Sequence, residues 1–313
     1  MAALVDDGAL HPAHAARALD LVLARYNPAA LAALVAEDLA GKHVRVVLGA
    51  SVATAPLRAV ALPWLRGASS LALKPSRHQP AFAALLRQHF DVPWRAHDDH
   101  ADHVVAHGRD ETLATIRAAL PAATTFEGRG HGFALSVVRT ADLADAASAV
   151  AADVAWYDQR GCLSPRAVLV DGDAARFAEL LADALAVRAR ELPPGPMDAG
   201  LAAAVMQWQG VKAATAEGFW RVDGGCVALT DGLVLDTPGA RNVTVCAVPA
   251  GGLAAAMGAE APWVTALGVA GETDGIDAIA GFAGRVCAAG TLQDPPLDGP
   301  EDVRAQGKMS RSR

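Results

Sequence analysis

The sequence predicts an α/β protein built on parallel sheets. Short buried-strand patterns such as "HVRVVLGA" at 43–50 alternate with segments whose apolar residues recur at helical spacing. Repeated strand, helix and strand units imply parallel pairing with right-handed crossovers. The composition is that of a globular protein, at 52% hydrophobic and 19% charged residues, and 313 residues suit two domains of ordinary size.

Each predicted element carries a local signal. Helical spacing, often ending at a glycine such as Gly41 or Gly67, marks the helices, and short apolar runs between turn residues mark the strands. The predicted helices are "HAARALDLVLARY", "PAALAALVAEDLAG", "ATAPLRAVALPWLRG", "QPAFAALLRQHF", "DETLATIRAAL" with Asp110 as N-cap, "TADLADAASAVAADVAWY", "DAARFAELLADALAVRARE" and "AGLAAAVMQWQGVKAA". The predicted strands are "HVRVVLGA", "SLALKP", "DHVVAHG", "GFALSVV", "RAVLV", "GFWRV", "CVALT", "GLVLD" and "NVTVCAVP".

Charge and cysteine usage exclude several classes of protein. A formal net charge of −7 argues against a nucleic-acid partner. Four cysteines without a CxxC pair form neither a disulfide framework nor a structural zinc site. The N-terminus lacks the pattern of a secretory signal, and the apolar runs are too short to span a membrane. We therefore expect a cytoplasmic protein with no membrane span.

Cys162 is the strongest chemical candidate in the sequence. It lies in "WYDQRGCLSP" at 156–165, after a long predicted helix and between Gly161 and a Ser-Pro turn, rather than in an apolar run. A catalytic thiol needs such a presented position, with charges or dipoles that favour the thiolate. The competing interpretation is an inert cysteine, since most lone cysteines have no chemical role.

Two further patterns have an ordinary explanation beside a functional one. The glycines of "EGRGHG" at 127–132 allow a ligand close to the backbone, but a turn explains them equally well, and no GxGxxG fingerprint is present. "HDDHADHVVAH" at 97–107 contains four histidines among three aspartates. We interpret it as a solvated acidic loop leading into a strand rather than a metal site, and we predict no metal.

Together these segments resemble the aldehyde dehydrogenase superfamily, and within it the acyl-CoA reductase branch that includes the fatty-acid reductase of bacterial luminescence. "TAPLRAVALPWLRGASSLALKPS" is similar to the superfamily's helix and strand ending in Lys-Pro-Ser. "TADLADAASAVAADVAWYDQRGCLSPRAVLV" resembles the helix and loop that carry the nucleophile. "PWVTALGVAG" and "RVCAAGTLQDPPLDGP" match the late part of the fold, so the likeness covers roughly residues 43–300.

The resemblance implies an aldehyde dehydrogenase-like fold of two parallel-sheet α/β domains with the active-site cleft between them. Residues 1–128 would bind a nicotinamide cofactor, residues 129–285 would form the catalytic domain, and residues 286–313 a C-terminal tail. It also implies a cofactor site. Lys74 matches the lysine that contacts the adenosine ribose, Ser76 and Arg77 follow it, and Gly108 opens the helix expected near the pyrophosphate. An arginine at position 77 suits a 2′-phosphate, which favours NADP over NAD.

For the reacting groups, the resemblance assigns Cys162 as the nucleophile. Ser51 stands where the superfamily usually has the asparagine of the oxyanion hole, with the Cys162 backbone N–H as the second donor. Glu127 falls near the general base of the hydrolytic enzymes. However, Gly128, Gly130 and His131 resemble the Gly-x-Gly-His run of the acyl-CoA branch, which favours thiolysis and reduction.

The expected function is therefore reduction of an acyl thioester (acyl-CoA) to an aldehyde by NAD(P)H, through a covalent cysteine acyl-enzyme. The alternatives are an aldehyde dehydrogenase that oxidises an aldehyde to the free acid, with Glu127 as base, and a degenerate relative without catalysis. A metal-binding protein built on the histidine cluster is a further alternative. By the same resemblance the chain is a possible homodimer.

Overall fold

A computed structural model describes residues 5, 10–49, 52, 54–75, 80–97 and 99–297 of the chain. The chain divides into two compact units. The first ends at His131 and also includes residues 296 and 297, and the second runs from Gly132 to Pro295. None of the helices in the described residues combines the length and hydropathy needed to cross a membrane.

The first unit is a parallel sheet with helical connections. Its helices are α1 (Pro12–Arg25), α2 (Pro28–Ala33), α3 (Ala55–Leu65), α4 (Pro80–His89) and α5 (Asp110–Ala119). Its strands are β1 (His43–Val47), β2 (Ser70–Lys74), β3 (His103–His107) and β4 (Thr125–Arg129). Among the described residues the strand order is β2-β1-β3-β4, with every pair parallel.

This order puts a topological switch point between β1 and β3. The chain leaves β1 toward β2 on one side and returns to β3 on the other side. In open parallel sheets a crevice forms at the carboxyl ends of the strands that flank such a point. Here those ends lead into Gly49 and Gly108. A Cβ on Gly49 would lie 3.3 Å from the Cβ of His107, so the two strand ends approach closely.

The second unit is a larger sheet with one antiparallel edge pair. Its helices are α6 (Leu143–Ala155), α7 (Ala174–Glu191), α8 (Ala199–Thr215) and α9 (Gly252–Met257), with 3-10 segments at Trp156–Gln159 and Gly258–Trp263. Its strands are β5 (Phe133–Arg139), β6 (Pro165–Val170), β7 (Gly218–Val222), β8 (Gly225–Leu229), β9 (Asn242–Ala247), β10 (Val264–Gly271) and β11 (Arg285–Ala288). In the described chain the strand order is β11-β10-β5-β6-β9-β8-β7, and only β7 with β8 is antiparallel.

The central strands of the second sheet are apolar on both faces, as expected for a covered parallel sheet. On one face, Phe177 and Leu181 of α7 pack with Val150 of α6 against the sheet. On the other, Met257 of α9 and Leu267 of β10 belong to a second apolar cluster. The predicted fold class, α/β with parallel sheets, is confirmed by both units.

The structure differs from the predicted elements in the first unit at two places. The predicted helix "PAALAALVAEDLAG" stops at Ala33, because the N–H groups of Ala36 and Leu39 donate to the carbonyls of Leu65 and Arg66 instead. Asp110 is the first residue of α5 rather than its N-cap, which is Arg109. The Asp110 side chain instead accepts a hydrogen bond from the His131 N–H at 2.9 Å.

Three further segments have a secondary structure different from the one that the sequence predicts. "GLVLD" at 232–236 is not a strand. Its Val234 carbonyl accepts from the Thr244 hydroxyl at 2.7 Å, while β9, which carries Thr244, already pairs with β6 and β8. "TFEGR" at 125–129 forms strand β4, although a glycine and two charged residues hide the apolar pattern. Residues 286–288, which were predicted to lie in the C-terminal tail, belong to strand β11 and pair with β10.

Candidate active site

Cys162 lies on the connection between α6 and β6 in the second unit, and it is exposed. The helix ends at Ala155, and the next residues turn in the left-handed sense. Tyr157, Asp158 and Gln159 have φ values of 53°, 51° and 58°. Non-glycine residues in this region cost about 1–3 kcal/mol each, and they persist only where the surroundings hold them. The left-handed turn at 157–159 is therefore a strained segment three residues before the thiol.

A buried ion pair holds this left-handed turn. The Arg241 Nε donates to Asp158 Oδ1 at 2.9 Å, and Arg241 is only 1% exposed. Asp158 Oδ2 accepts from the Gly195 N–H at 3.0 Å, and the Asp158 carbonyl accepts from the Ala240 N–H at 3.2 Å. Ala240 and Arg241 have positive φ themselves, at 52° and 60°. Two strained segments, 157–159 and 240–241, thus brace each other.

Hydrogen bonds on the other side of Cys162 fix the rest of the loop. Gln159 Nε2 donates to the Pro165 carbonyl at 2.8 Å. The Thr265 hydroxyl lies 2.9 Å from the Cys162 carbonyl and 3.0 Å from the Phe133 carbonyl. Since Thr265 and Phe133 stand at the starts of β10 and β5, the Cys162 backbone sits at the amino-terminal edge of the sheet.

Asp153, on the last turns of α6, ties this loop to the segment after β11. Its side chain is fully buried, and its two oxygens accept from the N–H groups of Gly290 at 2.6 Å and Leu292 at 2.9 Å. The next residue, Gln293, donates from Nε2 to Ser164 Oγ at 2.9 Å. Burial raises the pKa of Asp153 to about 7, although the two N–H donors oppose that rise.

The four cysteines differ sharply in environment. Burial raises the pKa of Cys226 to about 12 and that of Cys246 to about 11, and it also raises the pKa of the half-buried Cys287. Such thiols stay protonated and unreactive near neutral pH. Cys162 is the exposed one, and all four are unbridged. The environment therefore distinguishes the thiol that the sequence pattern selected.

The remaining described candidates lie in the first unit. Lys74 is exposed at the carboxyl end of β2, paired in register with Val47 of β1. Gly108 follows β3, and its N–H donates to the Arg129 carbonyl at 3.2 Å. Glu127 is on β4, where its Oε1 accepts from Arg129 Nη2 at 2.6 Å. Gly108 and His131 follow the carboxyl ends of β3 and β4, whereas Glu127 lies in the middle of β4, opposite Val105 of β3 and 3.9 Å from His103 Nε2.

Three predicted site residues, Ser51, Ser76 and Arg77, lie outside the described residues, as does Asp98 of the histidine cluster. In the rest of that cluster the rings face different partners. His103 Nδ1 lies 2.6 Å from Thr125 Oγ1, and His107 Nδ1 lies 3.3 Å from the Val47 carbonyl. Within the described ranges, no group of three His, Cys, Asp or Glu residues is arranged to hold a metal ion. The described part of the cluster therefore does not support the metal-binding alternative.

The chain is similar in structure to several aldehyde dehydrogenases. The chain is similar to a gamma-glutamyl-gamma-aminobutyraldehyde dehydrogenase from Burkholderia cenocepacia J2315 (18% identity, TM-score 0.59, 80% of this chain and 60% of that chain). It is also similar to an indole-3-acetaldehyde dehydrogenase of P. syringae (16%, 0.57, 79% and 60%) and to a Mycobacterium tuberculosis aldehyde dehydrogenase complexed with NAD+ (13%, 0.59, 78% and 60%). The chain thus has an aldehyde dehydrogenase fold and spans about 60% of the length of these relatives.

A family model identifies the family of the chain within that fold class. The family described as acyl-CoA reductase (LuxC) matches residues 94–297, which is more than half of the chain and includes the whole Cys162 loop. The chain belongs to this family. No protein with a curated description matches it.

Sequence reasoning did not find Arg241, Asp153 or Thr265. Arg241 reads as a polar turn residue after Pro-Gly, and its partner Asp158 is 83 positions away. Asp153 reads as part of an alanine-rich helix. The one available signal was an acidic residue on the apolar face of "AASAVAADVAW", because a carboxylate in such a position needs donors from elsewhere.

Removing one partner of the buried ion pair is expected to destabilise the second unit strongly. Arg241→Met removes the cation beside the buried Asp158 carboxylate, which should lower the free energy of unfolding by about 3–5 kcal/mol. The double variant Asp158→Asn, Arg241→Met should recover much of that loss. Urea unfolding of the wild type, both single variants and the double variant measures the coupling. Additive losses would show that the pair does not hold the turn.

Asp153 is expected to make stability depend on pH. Its pKa is near 3.8 when unfolded and about 7 when folded, so the folded state binds a proton more tightly between those values. The free energy of unfolding should therefore fall as the pH rises from about 4 to about 7, by up to roughly 4 kcal/mol. Urea midpoints of the wild type and Asp153→Asn across this range test it, since other titrating groups cancel in the difference. Parallel curves for the two proteins would contradict the assignment.

Proposed function

We propose that the chain reduces an acyl thioester to an aldehyde with NAD(P)H, using Cys162 as the nucleophile. The observation that carries this proposal is the exposed Cys162 thiol on a loop fixed by the Asp158–Arg241 ion pair. A strained loop held by a buried pair keeps a nucleophile in place without help from the substrate. Membership of the acyl-CoA reductase family supports the same chemistry.

In this mechanism Cys162 forms and loses one covalent bond to the acyl group. The thiolate attacks the carbonyl carbon of the acyl thioester, and the CoA thiolate leaves and takes a proton. The new thioester on Cys162 then gains one hydride, its carbon–sulfur bond breaks, and the aldehyde leaves while the cysteine regains its proton. The loop bonds from Gln159 and Thr265 hold the Cys162 backbone through both steps.

Electrostatic stabilisation of the oxyanion is assigned to the Cys162 backbone N–H and the Ser51 hydroxyl. Donors aimed at the developing charge are usually the largest single contribution to acyl-transfer catalysis. Glu127 is not assigned as a base for hydrolysis. Its carboxylate is already hydrogen-bonded to Arg129 and lies 3.9 Å from His103 Nε2, which favours a role in fastening β3 to β4.

In the first unit, the switch point between β1 and β3 supports a nicotinamide cofactor better than Gly108 does. The switch point between β1 and β3, where the strand ends approach closely at Gly49, supports a nucleotide site there, and Lys74 at the same carboxyl edge is the proposed ribose contact. Gly108 fits less well, because Asp110 and Glu111 occupy the first turn of α5 and would repel a pyrophosphate. When bound, the cofactor supplies the hydride. Solved relatives complexed with NAD+ support this class of cofactor.

The nucleophile is tested by trapping the acyl-enzyme. With radiolabelled acyl-CoA and no cofactor, the wild-type protein should incorporate one acyl group, found by mass spectrometry on the peptide that contains Cys162. Cys162→Ala should lose the label and all aldehyde formation, whereas the matched variant Cys287→Ala should keep both, because Cys287 is half-buried with a raised pKa. Labelling that survives in Cys162→Ala would refute the mechanism.

Cofactor preference is assigned to Arg77, and NADP is proposed over NAD. An arginine beside the ribose forms charge-assisted hydrogen bonds with a 2′-phosphate that NADH lacks. Arg77→Gln should therefore raise the Kd for NADPH by about tenfold or more and leave that for NADH nearly unchanged. Quenching of tryptophan emission during cofactor titration measures both constants. Equal changes for the two cofactors would place the 2′-phosphate elsewhere.

A further inference from the structure

A cavity of about 260 Å³ lies in the second unit beside the left-handed turn. Asp158 of this turn, Arg160 directly after the turn, and Arg241 are among the residues that line the cavity. The remaining lining residues come from the segment after α7, helix α8, the β7–β8 hairpin and Ala240, and they include Pro194, Met197, Val205, Arg221 and Val222. Cys162 is not among the lining residues. The cavity is therefore distinct from the position of the thiol.

The charged groups that line the cavity are mostly cationic. The lining residues include three arginines, Arg160, Arg221 and Arg241, and one aspartate, Asp158. Both oxygens of the Asp158 carboxylate are engaged, Oδ1 with Arg241 and Oδ2 with the Gly195 N–H. The balance of charge in the lining therefore favours an anion.

The hydrogen bonding of Arg241 is a second, independent observation that favours an anion. It is 1% exposed, and its Nη1 has no hydrogen-bond partner among the residues that the structure describes. A buried charged donor without an acceptor is costly, and native proteins rarely leave one. An anionic ligand in the adjoining cavity would supply the missing acceptor. Burial lowers the pKa of Arg241, and a second negative charge beside Asp158 would oppose that effect.

The rest of the lining selects the kind of anion. Pro194, Met197, Val205 and Val222 give the cavity an apolar wall, which suits an aliphatic body. A carboxylate carries one negative charge and matches the planar fork of a guanidinium. A phosphate group carries nearly two charges, so burying it against apolar side chains costs more.

We propose that this cavity is a binding site for a small aliphatic carboxylate, with its carboxylate toward the arginines and its chain against the apolar wall. The site is separate from the acyl chemistry assigned to Cys162 and does not depend on it. Because Asp158 and Arg160 precede the nucleophile by four and two positions, the ligand would contact the segment that positions the thiol.

Calorimetric titration of the full-length protein with hexanoate tests the site. Hexanoate should bind at one site per chain, and hexan-1-ol, which has the same chain without the charge, should bind about tenfold more weakly or not at all. Inorganic phosphate should not compete. Absence of hexanoate binding, equal binding of the alcohol, or displacement by phosphate would each overturn the proposal.

Variants then locate the site. The double variant Arg160→Gln, Arg221→Gln keeps the Asp158–Arg241 pair and should raise the Kd for hexanoate by about tenfold or more. The matched control, Arg176→Gln with Arg188→Gln on α7, removes the same charge from exposed ion pairs elsewhere in the unit and should leave the Kd unchanged. Equal effects of the two double variants would mean nonspecific charge attraction.

A final variant separates this site from the proposed catalysis. Cys162→Ala should bind hexanoate with the wild-type Kd, because the cysteine does not line the cavity. Loss of binding in Cys162→Ala would place hexanoate at the acyl site and overturn the assignment to the cavity. Failure of the acyl-labelling experiment would leave the hexanoate result unaffected.

Discussion

The buried contact between Asp158 and Arg241 is the interaction on which the loop that carries Cys162 depends. It joins two segments that are strained on their own, since five residues in 157–159 and 240–241 have positive φ without being glycine. Each of these backbones would relax if the partner segment were absent. The ion pair and the hydrogen bonds around it hold both segments in their strained conformation. The position of Cys162 is thus set by residues far from it in sequence.

The sheet makes this contact possible. Strands β6 and β9 are parallel neighbours, with Ala167 opposite Thr244 in the ladder. The turn at 157–159 comes shortly before β6, and residues 240–241 come directly before β9. Both segments therefore arrive at the same amino-terminal edge of the sheet. The apolar packing of α6 and α7 on the sheet holds the strands in place, and the strands in turn fix the positions of the two segments at that edge.

Much of this arrangement could be predicted from the sequence, but not the part that gives it precision. Strands such as "FALSVV" and helices such as 174–191 follow from apolar spacing, and Cys162 stood out because its neighbours are polar. The partnership of Asp158 with Arg241 leaves no local pattern, since it is made by topology across 83 positions. "GLVLD" shows the reverse case, an apolar run that forms no strand and whose Val234 carbonyl accepts from the Thr244 side chain of β9, a strand already paired on both sides.

The contrast among the four thiols has a practical consequence for spectroscopy. Cys226, Cys246 and Cys287 are held protonated by their raised pKa values, while Cys162 is open to solvent. A maleimide dye or spin label added at neutral pH will therefore react first at position 162, with every native cysteine still in place. Such a reporter would sit on the braced loop itself. Its mobility would read out directly how rigidly the loop is held.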